Sequence, residues 1–91
     1  MGQISQDIEI INKLGMHARA AAKFVNIASS FVCHVDVEKN GLRINGKSIM
    51  GVMMLAAAKG SIITLHIEGE DAVTCSHALT LLINNRFDED D

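Results

Sequence analysis

The amino-acid sequence predicts an α+β open-faced sandwich: a mainly antiparallel four-stranded sheet covered on one face by three helices, in the order βαββαβα. Three observations carry this. The stretches 31–39 and 61–69 alternate apolar and polar residues with period two, as half-buried strands do. The stretches 14–30 and 70–87 instead repeat apolar residues at helical spacing. Finally, the 91 residues contain no proline, no low-complexity linker and no internal repeat, which suits one domain over 1–91 with a modest core and leaves no room for two.

Taken in order, "IEIIN" (8–12) opens as an apolar strand with Ile8 and Ile10 on one face. In "LGMHARAAAKFVNIASS" the period changes, and Ala21, Phe24, Val25 and Ala28 form one helical stripe. "FVCHVDVEK" sets Phe31, Cys33, Val35 and Val37 against His34, Asp36 and Glu38 on the opposite face. "KNG" marks a tight turn and "LRIN" a short returning strand. Ser48 is placed to cap a short helix in "GKSIMGVMMLAAAKG", which Gly60 is expected to close. "SIITLHIEG" turns Ile63, Leu65 and Ile67 inward. "EDAVTCSHALTLLINNRF" is a closing amphipathic helix with Ala72, Cys75, Leu79 and Leu82 on its stripe. His34 and His66 fall on the open face of the sheet, where they are expected to be surface histidines.

Composition narrows the function classes. Apolar residues make up 48% and charged ones 21%, the balance of a globular protein. Three Phe are the only aromatics beside five Met, so the core is aliphatic and plastic. No apolar run approaches the roughly 20 residues of a membrane span, and "MGQISQDIEI" lacks the marks of a secretory signal. A cytoplasmic protein without membrane insertion is expected, with Cys33 and Cys75 reduced. Their spacing supports no metal site, and no cofactor is implied. The formal charge is −3, yet four of the eleven acids lie in "DEDD" (88–91), expected to be a solvated acidic tail. The remainder is nearly neutral and has no basic stripe with interleaved aromatics, which excludes nucleic acid as a partner.

Two stretches bear on phosphate. "GLRINGKS" (41–48) matches G-x-x-x-x-G-K-[ST], the loop that cradles nucleotide phosphates. Its context argues otherwise. Leu42 and Ile44 alternate with polar residues as in a hairpin strand, Gly41 belongs to the preceding turn, and no later apolar strand ends in a magnesium-binding Asp. "NKLGMHARAAAKF" is the stronger constellation. Gly15 breaks the first strand, His17 lands at a helix start, and Arg19 follows two residues on. The free N–H groups of the first turn, at Ala18, Arg19 and Ala20, make an anion site aided by the helix dipole. A guanidinium can fork onto phosphate oxygens, and a neutral imidazole can act as a nucleophile. From spacing alone, the ordinary alternative is a capping or surface histidine.

The segment "GMHARAAAKF" resembles the active-site segment of the HPr phosphocarriers of the bacterial phosphotransferase system. The resemblance continues through "NGKSIMGVMMLAAAKGS" and "ITLHIEGEDA", so it covers nearly the whole chain in the same order. "NKLGMHAR" and "NNRFDEDD" look most like the nitrogen-related branch (NPr). The family's HPr-like fold, four antiparallel strands backed by three helices, agrees with the order read above. The resemblance implies a shuttle: Enzyme I, charged from phosphoenolpyruvate, phosphorylates His17 on Nδ1, Arg19 stabilises the phosphate, and the group passes to an EIIA-type protein. It also implies a docking face on the first two helices, assigned here to Ala22, Lys23, Lys47, Ile49, Val52 and Met53, on a monomeric carrier. Ser48 matches a position that some members phosphorylate, although a plain helix cap is the simpler role. Where the family has Pro after the arginine this chain has Ala20, which restores a donor and loosens the first turn. The rival within the same fold is a regulatory docking module that binds partners without phosphotransfer. A small nucleotide-dependent enzyme using Gly46-Lys47-Ser48 is a weaker third.

Overall fold

Period-two burial organises the sheet. In the computed structural model, which describes residues 2–90, the strands are β1 (Gly2–Glu9), β2 (His34–Lys39), β3 (Leu42–Asn45) and β4 (Ile62–Gly69). They pair antiparallel in the order β1-β4-β2-β3. Helices α1 (Ala18–Ser29), α2 (Ile49–Met54) and α3 (Ala72–Asn84) complete the predicted βαββαβα order, and a 3-10 turn follows at Arg86–Asp88. Of the acidic tail, Asp91 lies outside the described residues.

Central β4 aligns Ile63 with Ile8 of β1, and Leu65 and Ile67 with Val37 and Val35 of β2. These side chains meet Phe24 of α1, Val52 of α2 and Leu79 and Ile83 of α3 in one buried cluster. Each fully buried aliphatic or aromatic side chain contributes about 1.5–3 kcal/mol relative to exposure. No helix among the described residues is long and apolar enough to cross a membrane.

Three local expectations change. Strand β1 begins at Gly2 rather than Ile8, because Gln6 occupies an inward position between Ile4 and Ile8. Its Oε1 accepts a hydrogen bond from Ser76 Oγ of α3 at 2.9 Å, so a polar residue is satisfied where periodicity calls for an apolar one. Helix α2 stops at Met54, and Ala56 rather than Gly60 takes the left-handed position after the Leu55 C-cap, with φ 48°. The chain beyond is tied to the loop before α1, where the Ala57 carbonyl accepts the Met16 N–H at 2.8 Å. Gly60 instead sits in the turn into β4.

His34 is a surface residue paired with Asp36 at 2.9 Å. His66 is not free on the surface: its side chain is 20% exposed, with Nε2 2.8 Å from Glu38 Oε1 and Nδ1 3.2 Å from Ser5 Oγ, so it links three strands.

Candidate functional site

The site is built by the loop between β1 and α1. Asn12 is fully buried there, and its Nδ2 donates to the Gly15 carbonyl at 2.8 Å and to Glu89 Oε1 at 3.0 Å. Gly15 takes a left-handed conformation (φ 66°), and a Cβ on it would lie 2.5 Å from the Ala57 carbonyl oxygen. This close approach delivers His17 as the N-cap of α1, with its side chain making no capping bond. The imidazole is therefore available, with its side chain 28% exposed. The first bond of the helix runs from the Ala21 N–H to the His17 carbonyl at 2.8 Å, so the N–H groups of Ala18, Arg19 and Ala20 precede it. Ala20's methyl is buried in the core, so only its backbone can face a ligand.

His17 and Arg19 share an open cavity of about 330 Å³ with Lys13, Leu14, Glu89 and Asp90. Lys13, Arg19 and the N-terminus of α1 line this cavity together with the carboxylates of Glu89 and Asp90, so cations and free N–H groups that can hold an anion lie on the same opening as a nitrogen nucleophile.

Glu89 was not legible as a site residue and corrects the expectation of a solvated tail. His17 Nε2 contacts Glu89 Oε2. Arg86, Phe87 and Asp88 adopt left-handed φ values of 56°, 54° and 63°, bending the chain back over α1. Phe87 is fully buried, and its carbonyl accepts Lys23 Nζ at 2.8 Å. Partial burial raises the Glu89 carboxyl, but hydrogen bonds from Asn12 and His17 outweigh it and hold the group below its ordinary value. Glu89 is a carboxylate at neutral pH. The only sequence signal for this return was a lone Phe87 amid polar residues.

The α2 surface departs from expectation at one residue. Ile49 and Met53 are exposed, whereas Val52 is fully buried against the sheet and cannot belong to a docking face. It shares the inward side with Leu55, three residues on, which is also buried. Met50 and Met54, outside the expected docking face, are more exposed than either. Ala22 and Lys23 are half-buried on α1, and Lys47 gives its ammonium to the Phe31 carbonyl at 2.7 Å. Ser48 Oγ accepts the Gly51 N–H at 3.1 Å, a helix cap as expected.

The "GLRINGKS" stretch splits as its context suggested. Residues 42–45 are β3, the Gly46 N–H donates to Val35 O at 2.7 Å, and the Ser48 N–H donates to Asn45 O at 3.2 Å. Amides that a phosphate loop would offer are spent on the protein itself.

The chain is similar to known proteins over nearly its whole length. A family model described as the PTS HPr component phosphorylation site matches residues 4–85. The chain is 58% identical over 86 residues to the phosphocarrier protein HPr of Neisseria meningitidis serogroup A, covering 94% of this chain and 97% of that one. It is 58% identical over 84 residues to the HPr of Pseudomonas aeruginosa, covering 91% and 93%. Among solved structures, HPr from Thermoanaerobacter tengcongensis superposes over the whole of both chains with a TM-score of 0.90 at 43% identity. A phosphocarrier protein HPr from Bacillus anthracis gives 0.86 at 38%, over 91% of this chain and 99% of the other. From a model match spanning both ends of the fold, and relatives matched over nearly their full length, it follows that the chain belongs to the HPr family, the phosphocarriers of the phosphotransferase system.

Proposed function

We propose that His17 accepts a phosphoryl group on Nδ1 from phosphorylated Enzyme I, ultimately from phosphoenolpyruvate. It then passes the group to an EIIA-type protein of the nitrogen-related system, as a cytoplasmic monomer. The observation that carries this is the imidazole at the N-terminus of α1 in a cavity shared with Arg19. The guanidinium and the amides of Ala18, Arg19 and Ala20 supply charge and donors where the phosphate forms. The exposed Ile49, Met50, Met53 and Met54 offer an adaptable apolar surface beside it for successive partners. The nitrogen-related assignment rests on the "NKLGMHAR" and "NNRFDEDD" segments. Ser48 acts as a cap, and a phosphate placed on it would lie at a helix start next to Lys47.

Incubation with Enzyme I, magnesium and phosphoenolpyruvate should give an acid-labile, alkali-stable phosphate that His17→Ala abolishes. Nitrogen-branch Enzyme I should charge the protein faster than the sugar-branch enzyme. Absence of an adduct with both would refute the carrier role and leave the docking module.

A further inference from the structure

The contact between Glu89 and the imidazole has a chemical direction. Glu89 is ionised and has no proton to give. Its Oε1 is already engaged by Asn12, and its Oε2 meets Nε2 of His17. The hydrogen bond therefore requires a proton on Nε2. In the neutral ring, that leaves the lone pair on Nδ1.

The surroundings hold Glu89 in place. Asn12 is fully buried, spends its amide hydrogens on Gly15 O and Glu89, and leaves its own Oδ1 without a protein partner among the described residues. A buried unsatisfied oxygen is costly, so this arrangement is sustained by the rest of the fold. On the other side, buried Phe87 and the Lys23 bond to its carbonyl anchor the left-handed turn that presents Glu89.

We propose that Glu89 is the positioning residue of the phosphoryl acceptor: through Nε2 it fixes the ring with Nδ1 free and neutralises the charge the ring acquires. The inference rests on His17 being the acceptor. In the transfer, the Nδ1 lone pair forms the N–P bond while the donor's bond to phosphorus breaks, its electron pair staying with the donor. The ring keeps its Nε2 proton and becomes a phosphoimidazolium whose positive charge faces the Glu89 carboxylate. In onward transfer the same protonated ring leaves phosphorus as neutral imidazole, so no proton need be acquired. The geometry thus serves both halves of a shuttle. A carboxylate oriented on a histidine in this way is a familiar means of setting tautomer and charge.

The test uses the full chain with three forms: wild type, Glu89→Gln, which keeps an acceptor but loses the charge, and Glu89→Ala, which loses both. Nitrogen-15 spectra of neutral His17 should show Nε2 protonated in wild type, with a water-protected N–H proton that Glu89→Ala loses and that Glu89→Gln, with one acceptor oxygen for the two donors Asn12 Nδ2 and His17 Nε2, protects less. After charging with Enzyme I and phosphoenolpyruvate, the pH profile of phosphohistidine hydrolysis is recorded. The other charged groups facing the ring, Lys13, Arg19 and Asp90, and Lys23 and Asp88 at the turn, are common to all three forms. Loss of the opposite charge should move the profile about one pH unit lower in both variants, and initial phosphoryl acceptance should fall roughly tenfold. Matching amide spectra and Tm would exclude unfolding as the cause. A wild-type ring protonated on Nδ1, or identical hydrolysis profiles in the three forms, would overturn the role of Glu89. Failure of the wild type to accept phosphate at all would instead overturn the acceptor assignment, and the Glu89 role with it.

Discussion

Gly15 is a position at which backbone conformation and close packing jointly fix the site, and comparing Gly15→Ala with Gly60→Ala separates them. An added Cβ would meet the Ala57 carbonyl oxygen at 2.5 Å and Ala58 Cα at 2.8 Å, both backbone atoms that cannot swing aside. The left-handed conformation (φ 66°) costs an alanine about 1–2 kcal/mol. Forcing the two segments apart adds about 1–3 kcal/mol, as overpacking does elsewhere. Weakening the 2.8 Å bond from the Met16 N–H to the Ala57 carbonyl adds about 1 kcal/mol more. The sum is about 3–6 kcal/mol, less the roughly 0.4–1 kcal/mol that Gly→Ala contributes through the unfolded chain. Gly60→Ala is the control: its φ is 91°, but nothing lies within 4 Å of an added Cβ, so it carries only the conformational cost and the same unfolded-state credit. Urea unfolding of both variants should show Gly15→Ala less stable than Gly60→Ala by about 2–4 kcal/mol. Phosphoryl acceptance from Enzyme I should fall only in Gly15→Ala. Stabilities within about 0.5 kcal/mol of each other would refute the claim that contact with 57–58, rather than conformation, demands glycine here.

Other perturbations probe separate parts of the fold. Ser48→Ala removes the oxygen that accepts the Gly51 N–H and should cost about 1 kcal/mol in urea unfolding, with Ser48→Asp retaining most of the stability. The Asp71 carboxyl is held below its ordinary 3.8 first by the Val32 N–H and also by that of Cys33, each 2.9 Å away. Its stabilisation is therefore present above pH 3.8 and lost as pH falls from there through the lowered folded value, and Asp71→Asn should flatten the acid limb of the stability curve in that window. Burial pushes the Cys75 thiol up to about 12 and raises Cys33 as well, so iodoacetamide at pH 8 should label neither in the native protein and both in urea.

What could be read from the sequence was whatever chemistry acts within a few residues. Val35 and Val37 alternate with polar neighbours, Ser48 stands before a short helix, and His17 and Arg19 lie two apart, so strand, cap and the paired cation were all legible. What escaped depends on partners far along the chain. Gln6 looks wrong for an inward strand position until Ser76 of α3 supplies its hydrogen bond. Ala56, not Gly60, ends α2 because the next carbonyl is claimed by Met16. Val52 and Met53 are adjacent in a run of similar apolar residues, and only the packing of α2 on the sheet decides which is core. Glu89 sits in a run of acids with nothing local to distinguish it.

The contact from His17 to Glu89 spans 72 positions of the sequence, and the β1–β4 pairing that supports it links residues 2–9 to 62–69. Contacts of such range form only after the chain has met the entropy of closing a long loop, later than local helices and the β2–β3 hairpin. The finished site is thus a report on the whole topology. A chain trapped short of the last strand pairing can hold a folded α1, and even an exposed histidine, without the carboxylate beside it. Competence to carry a phosphoryl group is then expected to come late in folding, with the closure that completes the sheet.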